Sequence, residues 1–560
     1  MRVHPAVWTV AVAVVHRATV CSLDVAIAPA HTAGAIHTVS THYISFALDN
    51  GFLRDPHGIG PVPLPPDQCN STRVDFQDPL LNTVMPLAAG GYIRIGGSYS
   101  DFVHYYVPGT NYTRCPYTPS NQKCPGNSLP CCLPLTMERW REALEWAHSN
   151  GLRITFNLNI LHGRYADYPG FDGHTHNQSN NPAWDSSNAR ALMQWTAMNV
   201  EPELWPAAFG LGNELNGYLL PEQWADDSIT MYNLVQEIFG ANAVAAPQTN
   251  GAGTRTNASR VPSTYGPGCD GLHAEWSAQY LNNITAKKPE ALGAFSVHAY
   301  QHNASTVADV AGMSGSEVDA SRVFFASVVA MHAAADSRSK LWITESAWGP
   351  FAPNNAGHGG ATAALDGMCR ASDMAWYLGA LGSAAEAGIE MFCRESLAGD
   401  WLEVLGLWQP GDARTGEHNA PYTPHPDFWV AALWNKLMGT SVLGATTTTS
   451  TSTSTYTAAA TTTPAGSTAV VRAFAHCSKK TAGGVMFAVA LSPCVRTEAV
   501  TVHFTGAHTL TVYWLSANDA AADTVALNGQ STAPCCLFLD TAAPAVSRSR
   551  SSLRVTPFTA

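Results

Sequence analysis

Two glutamates close two apolar runs: Glu214 in Phe209-Gly210-Leu211-Gly212-Asn213-Glu214, and Glu345 in Leu341-Trp342-Ile343-Thr344-Glu345. Each carboxylate falls where a buried strand emerges into a loop. If both strands belong to one parallel barrel, the acids converge at its C-terminal mouth, where such barrels do their chemistry. Two carboxyl groups roughly 5 to 5.5 Å apart can hydrolyse a glycoside with retention, one attacking the anomeric carbon and the other protonating the leaving oxygen. Glu345 is the expected nucleophile and Glu214 the expected acid/base. Neighbouring carboxylates resist ionising together, so one is expected to hold its proton for the first step and give it up once the nucleophile's charge is consumed.

The neighbours of these acids fit the same chemistry. The Asn213 amide can donate to a sugar 2-hydroxyl, a contact that strengthens in the transition state. His298-Ala299-Tyr300 closes the preceding apolar run, and Tyr300 can hydrogen-bond Glu345 and keep it ionised. Trp184, Trp348 and Trp401 are candidate sugar platforms. A lone glutamate at a strand end is more often an ion-pair partner or a helix cap; the pairing of Gly-Asn-Glu with Ile-Thr-Glu-Ser turns the balance towards catalysis. The chain has no His-Glu-x-x-His, no Gly-x-x-x-x-Gly-Lys-Ser/Thr and no Gly-x-Ser-x-Gly segment, which removes the simplest zinc protease, nucleotide and serine hydrolase readings. No metal or cofactor is called for.

To position these groups the chain alternates short apolar runs with amphipathic stretches. Eight strands are predicted near Tyr43–Leu48, Tyr92–Ile95, Arg153–Leu158, Ala207–Leu211, Ala243–Ala246, Ala294–His298, Leu341–Thr344 and Ile389–Cys393. Between them lie helical patterns such as Met137–Ser149, Ser186–Val200, Pro221–Phe239, Ser321–Ala335 and Ala361–Leu381. The fold class is therefore α/β, a (β/α)₈ TIM barrel over residues 38–440 with Glu214 after strand 4 and Glu345 after strand 7. Residues 441–560 read as a β-sandwich, with a Thr-rich loop at 446–463 expected to be irregular and O-glycosylated.

Composition sets the class. Charged residues make up 13% of the 560, the formal net charge is −12, and there are 16 Trp and 18 Tyr; this suits a neutral-ligand or carbohydrate binder and argues against nucleic acid as a partner. Residues 1–22 resemble a secretory leader, and no other apolar run is long enough to span a bilayer, leaving at most an N-terminal anchor. Six Asn-x-Ser/Thr sequons, at Asn70, Asn111, Asn177, Asn257, Asn283 and Asn303, agree with a secreted or secretory-pathway glycoprotein. Of thirteen cysteines, twelve remain if Cys21 leaves with the leader, an even number that permits disulfides; Cys115, Cys124, Cys131 and Cys132 cluster in one loop. A monomer is expected.

Taken together, Gly212-Asn213-Glu214 with Asn216, His298-x-Tyr300, Ile343-Thr344-Glu345-Ser346 and the run Pro426-Asp427-Phe428-Trp429 through Thr440 resemble the heparanase and β-glucuronidase family, glycoside hydrolase family 79. Tyr92–Ser98 with Asp101, and Tyr43–Asp49 before Asp55-Pro56, agree. The resemblance spans roughly residues 38 to 530. It implies a retaining β-glucuronidase built as a barrel with a β-sandwich to which an N-terminal strand also contributes, with Glu214 as acid/base and Glu345 as nucleophile, and with Asp49, Ser98, Asn213, His298 and Tyr300 contacting or supporting the sugar. It also implies that the backbone of a loop after the last strand, here Gly399-Asp400-Trp401, meets the uronate carboxylate; this stretch departs from the family pattern by one missing residue and an added acid. Unlike animal heparanases the chain is acidic and carries a Cys-rich segment at 107–133, so the expected protein is one unprocessed chain. The expected substrate is a glucuronidated glycan of low sulfate content, such as an arabinogalactan-like chain, rather than heparan sulfate. Two alternatives stay open: a catalytically silent carbohydrate-binding relative, and the same barrel acting on another sugar such as a xyloside or arabinoside.

Overall fold

The structure is a computed structural model. It describes residues 7–14, 22–29, 34–53, 74–112, 133–164, 182–240 apart from 217, 261–269, 274–301, 315–348, 371–398, 403–406, 422–451 and 454–457. Beyond these it describes 470–480, 484–492, 499–504, 509–516, 525–528, 530–531, 546–548 and 552–555.

Eight parallel strands close into a barrel: β1 Ile44–Asp49, β2 Tyr92–Gly96, β3 Arg153–Leu158, β4 Ala208–Leu211, β5 Ser263–Cys269, β6 Ala294–Gln301, β7 Lys340–Trp348 and β8 Met391–Arg394. A helix follows each: α1 Pro79–Val84, α2 Met137–Ser149, α3 Ser187–Asn199, α4 Pro221–Val235, α5 Ala274–Lys287, α6 Gly315–Ala334, α7 Ala371–Ala387 and α8 Pro426–Leu437. Local chemistry accounts for the helix starts. The Asp78 carboxylate caps the N–H groups of Leu80 and Leu81, the Thr136 hydroxyl caps that of Arg139, and Pro occupies the first turn of α1, α4 and α8.

The barrel interior is packed in layers. Ala47, Ala208 and Ala294 leave room for the large side chains of Tyr92, Tyr265 and Trp342, with Met391 and Cys393 completing the cluster. Tyr265 and Tyr92 stand 5.4 and 5.9 Å from the Trp342 ring. This floor fills the tube, so only the layers above it remain for polar groups.

One predicted strand is corrected. The fifth barrel strand is Ser263–Cys269, pairing with β4 and β6; Ala243–Ala246 lies outside the described residues. Its sequence, Ser-Thr-Tyr-Gly-Pro-Gly-Cys, reads as a turn because Gly and Pro are poor strand formers, yet barrel closure recruits it.

Outside the barrel, a nine-stranded sheet runs in the order Gln530–Ser531, Ala526–Leu527, Thr509–Ser516, Val7–Val14, Val485–Ser492, Val470–Ser478, Met438–Val442, His37–Thr38, with Val546–Arg548 also on Thr509–Ser516. A second sheet holds Ser454–Thr457, Ala445–Thr451, Ser22–Pro29, Ala499–Phe504 and Ser552–Val555. The stretch read as a leader thus supplies Val7–Val14, parallel to both of its neighbours. The Thr-rich segment differs from its expectation: Ala445–Thr451 is a strand, paired with Ser22–Pro29 and Ser454–Thr457. Threonine is β-branched and strand-forming, which outweighs the low complexity. Residues 458–463 lie outside the described set.

Candidate active site

Glu345 is aimed by an irregularity in β7. Ser296 and Val297 of β6 pair with Trp342 and Ile343, but His298 pairs with Glu345, so Thr344 is one residue extra. Trp342 points into the barrel with Tyr265 and Ala294, and strict alternation would then turn Glu345 outwards. The bulge at Thr344 resets the phase and brings Glu345 inward beside His298. Glu345 therefore lies within a strand that continues to Trp348, not at its end.

The Glu345 carboxylate is 4% exposed and fully engaged. Arg94 Nη1 donates to Oε1 and the Tyr300 hydroxyl to Oε2 at 2.6 Å, while His298 Nδ1 lies 3.2 Å from Oε2. Burial pushes this carboxyl up, but the His298 and Arg94 charges and the Tyr300 hydrogen bond outweigh it and hold Glu345 below the usual glutamate value. Burial and the Glu345 charge together push the Tyr300 phenol well above its ordinary range, so it stays a donor. Arg94 crosses the barrel from β2 to reach β7. Its room comes from Gly96, where a Cβ would stand 2.3 Å from the guanidinium carbon.

Glu214 follows β4 in a turn with two left-handed residues flanking Asn213, Gly212 at φ 73° and Glu214 itself at φ 55°. A non-glycine residue in that region costs of order 1–3 kcal/mol and is kept where surrounding contacts over-determine it. Three contacts do so here. The Asn157 amide donates to Gly212 O at 2.7 Å, Asp101 Oδ2 accepts from Asn213 N at 3.0 Å, and Arg94 Nη2 donates to Asn213 Oδ1 at 2.6 Å. The Glu214 side chain, 28% exposed, opens to solvent on one side and meets His298 Nδ1 at 2.6 Å on the other.

One imidazole nitrogen and one oxygen from each glutamate lie within 4.8 Å of one another. Donors of this kind can ligate a divalent cation. His298 Nδ1 lies within hydrogen-bond reach of both carboxylates, 2.6 Å from Glu214 and 3.2 Å from Glu345. Among the described residues Asn213 Nδ2 and His298 Nε2 are buried with no hydrogen-bond partner, leaving the amide donor of Asn213 available to a ligand.

The other expected residues fall as follows. Asp49 ends β1 and accepts from Gly51 N at 2.8 Å and Tyr99 N at 3.4 Å, so it ties the β1 and β2 loops together. Ser98 opens the turn Ser98–Phe102 after β2. Gly399 and Trp401 lie outside the described residues. Trp184 is no platform: it is 6% exposed, with its indole N–H on Asn159 O at 2.8 Å. Cys393 and Cys477 are free thiols, and the Cys115–Cys132 cluster lies outside the described residues.

Arg94, Asp101 and Asn157 were not among the expected site residues. A charged residue inside the apolar run Tyr92-Ile93-Arg94-Ile95 was the available signal, since an unpaired buried charge is prohibitively costly and demands a partner.

With this geometry in place, comparison with known proteins adds a lineage. The family model described as "Glycosyl hydrolase family 79, N-terminal domain" matches residues 65–382. Heparanase-like protein 3 of Arabidopsis thaliana is 24% identical over 433 residues, 74% of this chain and 65% of that protein, so the chain spans just under two thirds of that relative's length. Baicalin-beta-D-glucuronidase of Scutellaria baicalensis is 24% identical over 444 residues, covering 75% of this chain and 72% of that protein. Among solved structures, the family 51 α-L-arabinofuranosidase AbfB of Bifidobacterium longum superposes with a TM-score of 0.55 at 12% identity, covering 95% of this chain and 98% of that one, a likeness of fold.

Proposed function

The chain belongs to glycosyl hydrolase family 79, and from that premise we propose that it is a retaining β-glucuronidase working by double displacement. The observation that carries the reading is the convergence of Glu214 and Glu345, oxygens within 4.8 Å, around His298 at the barrel mouth. That spacing suits direct attack by one carboxylate and leaves too little room for the interposed water of an inverting site, whose carboxyl groups stand roughly 6.5–9.5 Å apart.

The roles follow from the surroundings. Glu345, held ionised by Arg94, His298 and Tyr300, attacks the anomeric carbon. Glu214, the more exposed of the two, donates a proton to the departing oxygen and then, as carboxylate, takes one from the incoming water. Asn213 Nδ2 donates to the sugar 2-hydroxyl. Glucuronate as the sugar rests on the relatives' names, and a glycan of low sulfate content is the substrate that a net charge of −12 favours. A secretory setting is proposed on the six sequons, of which Asn111 is exposed.

The test is release of chromophore from a panel of aryl β-glycosides by wild type, Glu345→Gln and Glu214→Gln. Glucuronide turnover is expected, with about 10³-fold or greater loss in Glu345→Gln and a loss in Glu214→Gln that shrinks as the leaving group improves. Turnover of only a xyloside or arabinoside would replace the sugar; a folded wild type inactive on every substrate would overturn the enzymatic reading in favour of a binding protein.

A further inference from the structure

The acid's aim depends on a residue that touches neither the sugar nor the reacting atoms. Asp101 sits in the turn after β2, 2% exposed. Its two carboxylate oxygens serve different elements: Oδ2 accepts from Asn213 N at 3.0 Å, and Oδ1 from Ile160 N at 3.2 Å, where the chain leaves β3. The Ile160 side chain in turn crowds Gly212, whose hypothetical Cβ would lie 2.8 Å from Ile160 Cγ2. Asp101 thus fixes both the N–H at the centre of the Gly212-Asn213-Glu214 turn and the loop against which that turn rests.

We infer that Asp101 is a positioning residue for the acid, holding the left-handed turn that presents Glu214 to the leaving group. This rests on the glycosidase reading above. Without an acceptor at Oδ2, the Asn213 N–H is buried unpaired. The φ 55° conformation of Glu214 then loses one of the three contacts that offset its strain. The nucleophile depends on it less, because Glu345 has its own hold in Tyr300 and His298, and Arg94 reaches it by Nη1 while Nη2 reaches Asn213.

That separation gives the inference a readout that simple destabilisation does not move. In Asp101→Asn the amide keeps one acceptor and turns a donor towards the other N–H. Protonation by the acid matters for an alkyl leaving group and little for dinitrophenolate. The expected result is a fall in kcat/KM of roughly 10²-fold on an alkyl β-glucuronide, the size of a general-acid contribution, with less than about 3-fold change on dinitrophenyl β-glucuronide. Asp101→Ser, smaller and able to admit water, is run in parallel so that a folding failure of one variant leaves the other, with thermal melts on both. Equal losses on the two substrates, or none on either, in a folded variant overturn the inference while wild-type turnover keeps the glycosidase reading. A wild type that turns over neither substrate overturns both.

Discussion

Glu345 shows how a buried carboxylate is kept ionised. Desolvation favours its neutral form, and Arg94, His298 and Tyr300 together reverse that preference. Tyr300→Phe removes one of the three, so the Glu345 pKa is expected to rise. A nucleophile works only when ionised, so the acidic limb of the kcat/KM profile moves to higher pH in the variant. Losing one hydrogen bond to a charged group, worth about 1.5–3 kcal/mol, corresponds to roughly a 10- to 100-fold drop in rate. A pH–rate series on wild type and variant checks both; an unmoved acidic limb counts against Tyr300 acting through Glu345. At this scale short motifs in the sequence located Glu214, Asn213, His298 and Tyr300, which the fold brings together around Glu345 and Arg94. It placed Arg94 and Asp101 in a segment of the family resemblance but gave neither a role, and was silent on Asn157, because their meaning depends on which strands face each other across the barrel.

At the scale of elements, α8 is held to β8 by a fully buried ion pair: Arg394 Nε and Nη2 both reach Asp427 Oδ2 at 2.8 Å, with both side chains wholly inside. Phe428 stacks on Phe46 of β1 at 6.0 Å between centroids, so the Pro-Asp-Phe-Trp run that marks the family resemblance is the seam closing the last unit of the barrel onto the first. Asp427→Ala strands a buried guanidinium and is expected to cost about 3–5 kcal/mol in denaturant unfolding; Arg394→Met with Asp427→Ala together is expected to recover much of it. A double variant no better than the single would place the cost in packing instead. Element types with strong periodicity, such as Met137–Ser149, were legible to the residue. β5 was not, because its Gly and Pro carry turn chemistry that only ring closure overrides. The Thr344 bulge was also invisible, since nothing in Leu-Trp-Ile-Thr-Glu marks where pairing slips.

The whole molecule joins barrel to sheets chiefly through α7, whose Gly382 lets Phe474 lie against the helix backbone: a Cβ there would sit 2.1 Å from the ring. Gly382→Ala is therefore expected to destabilise the protein by about 1–3 kcal/mol through overpacking, despite the better helix propensity of alanine. A raised or unchanged melting temperature would show that this junction yields. The barrel was legible in the sequence as an alternation of eight runs. The resemblance implies that an N-terminal strand joins the sheets, but Val7–Val14 was not legible as one, because an apolar run of Val and Ala after an early Arg has the composition of a secretory leader; it lies between two strands from the far end of the chain. Among the described residues no helix is long and apolar enough to cross a membrane.

In the proposed double displacement Glu345 attacks carbon directly, with no water between the two carboxylates. Following a β-glucuronide by proton NMR from the first seconds, before mutarotation, reads the anomer released. The β anomer is expected first; the α anomer first would mean single displacement and would overturn the roles proposed for Glu214 and Glu345.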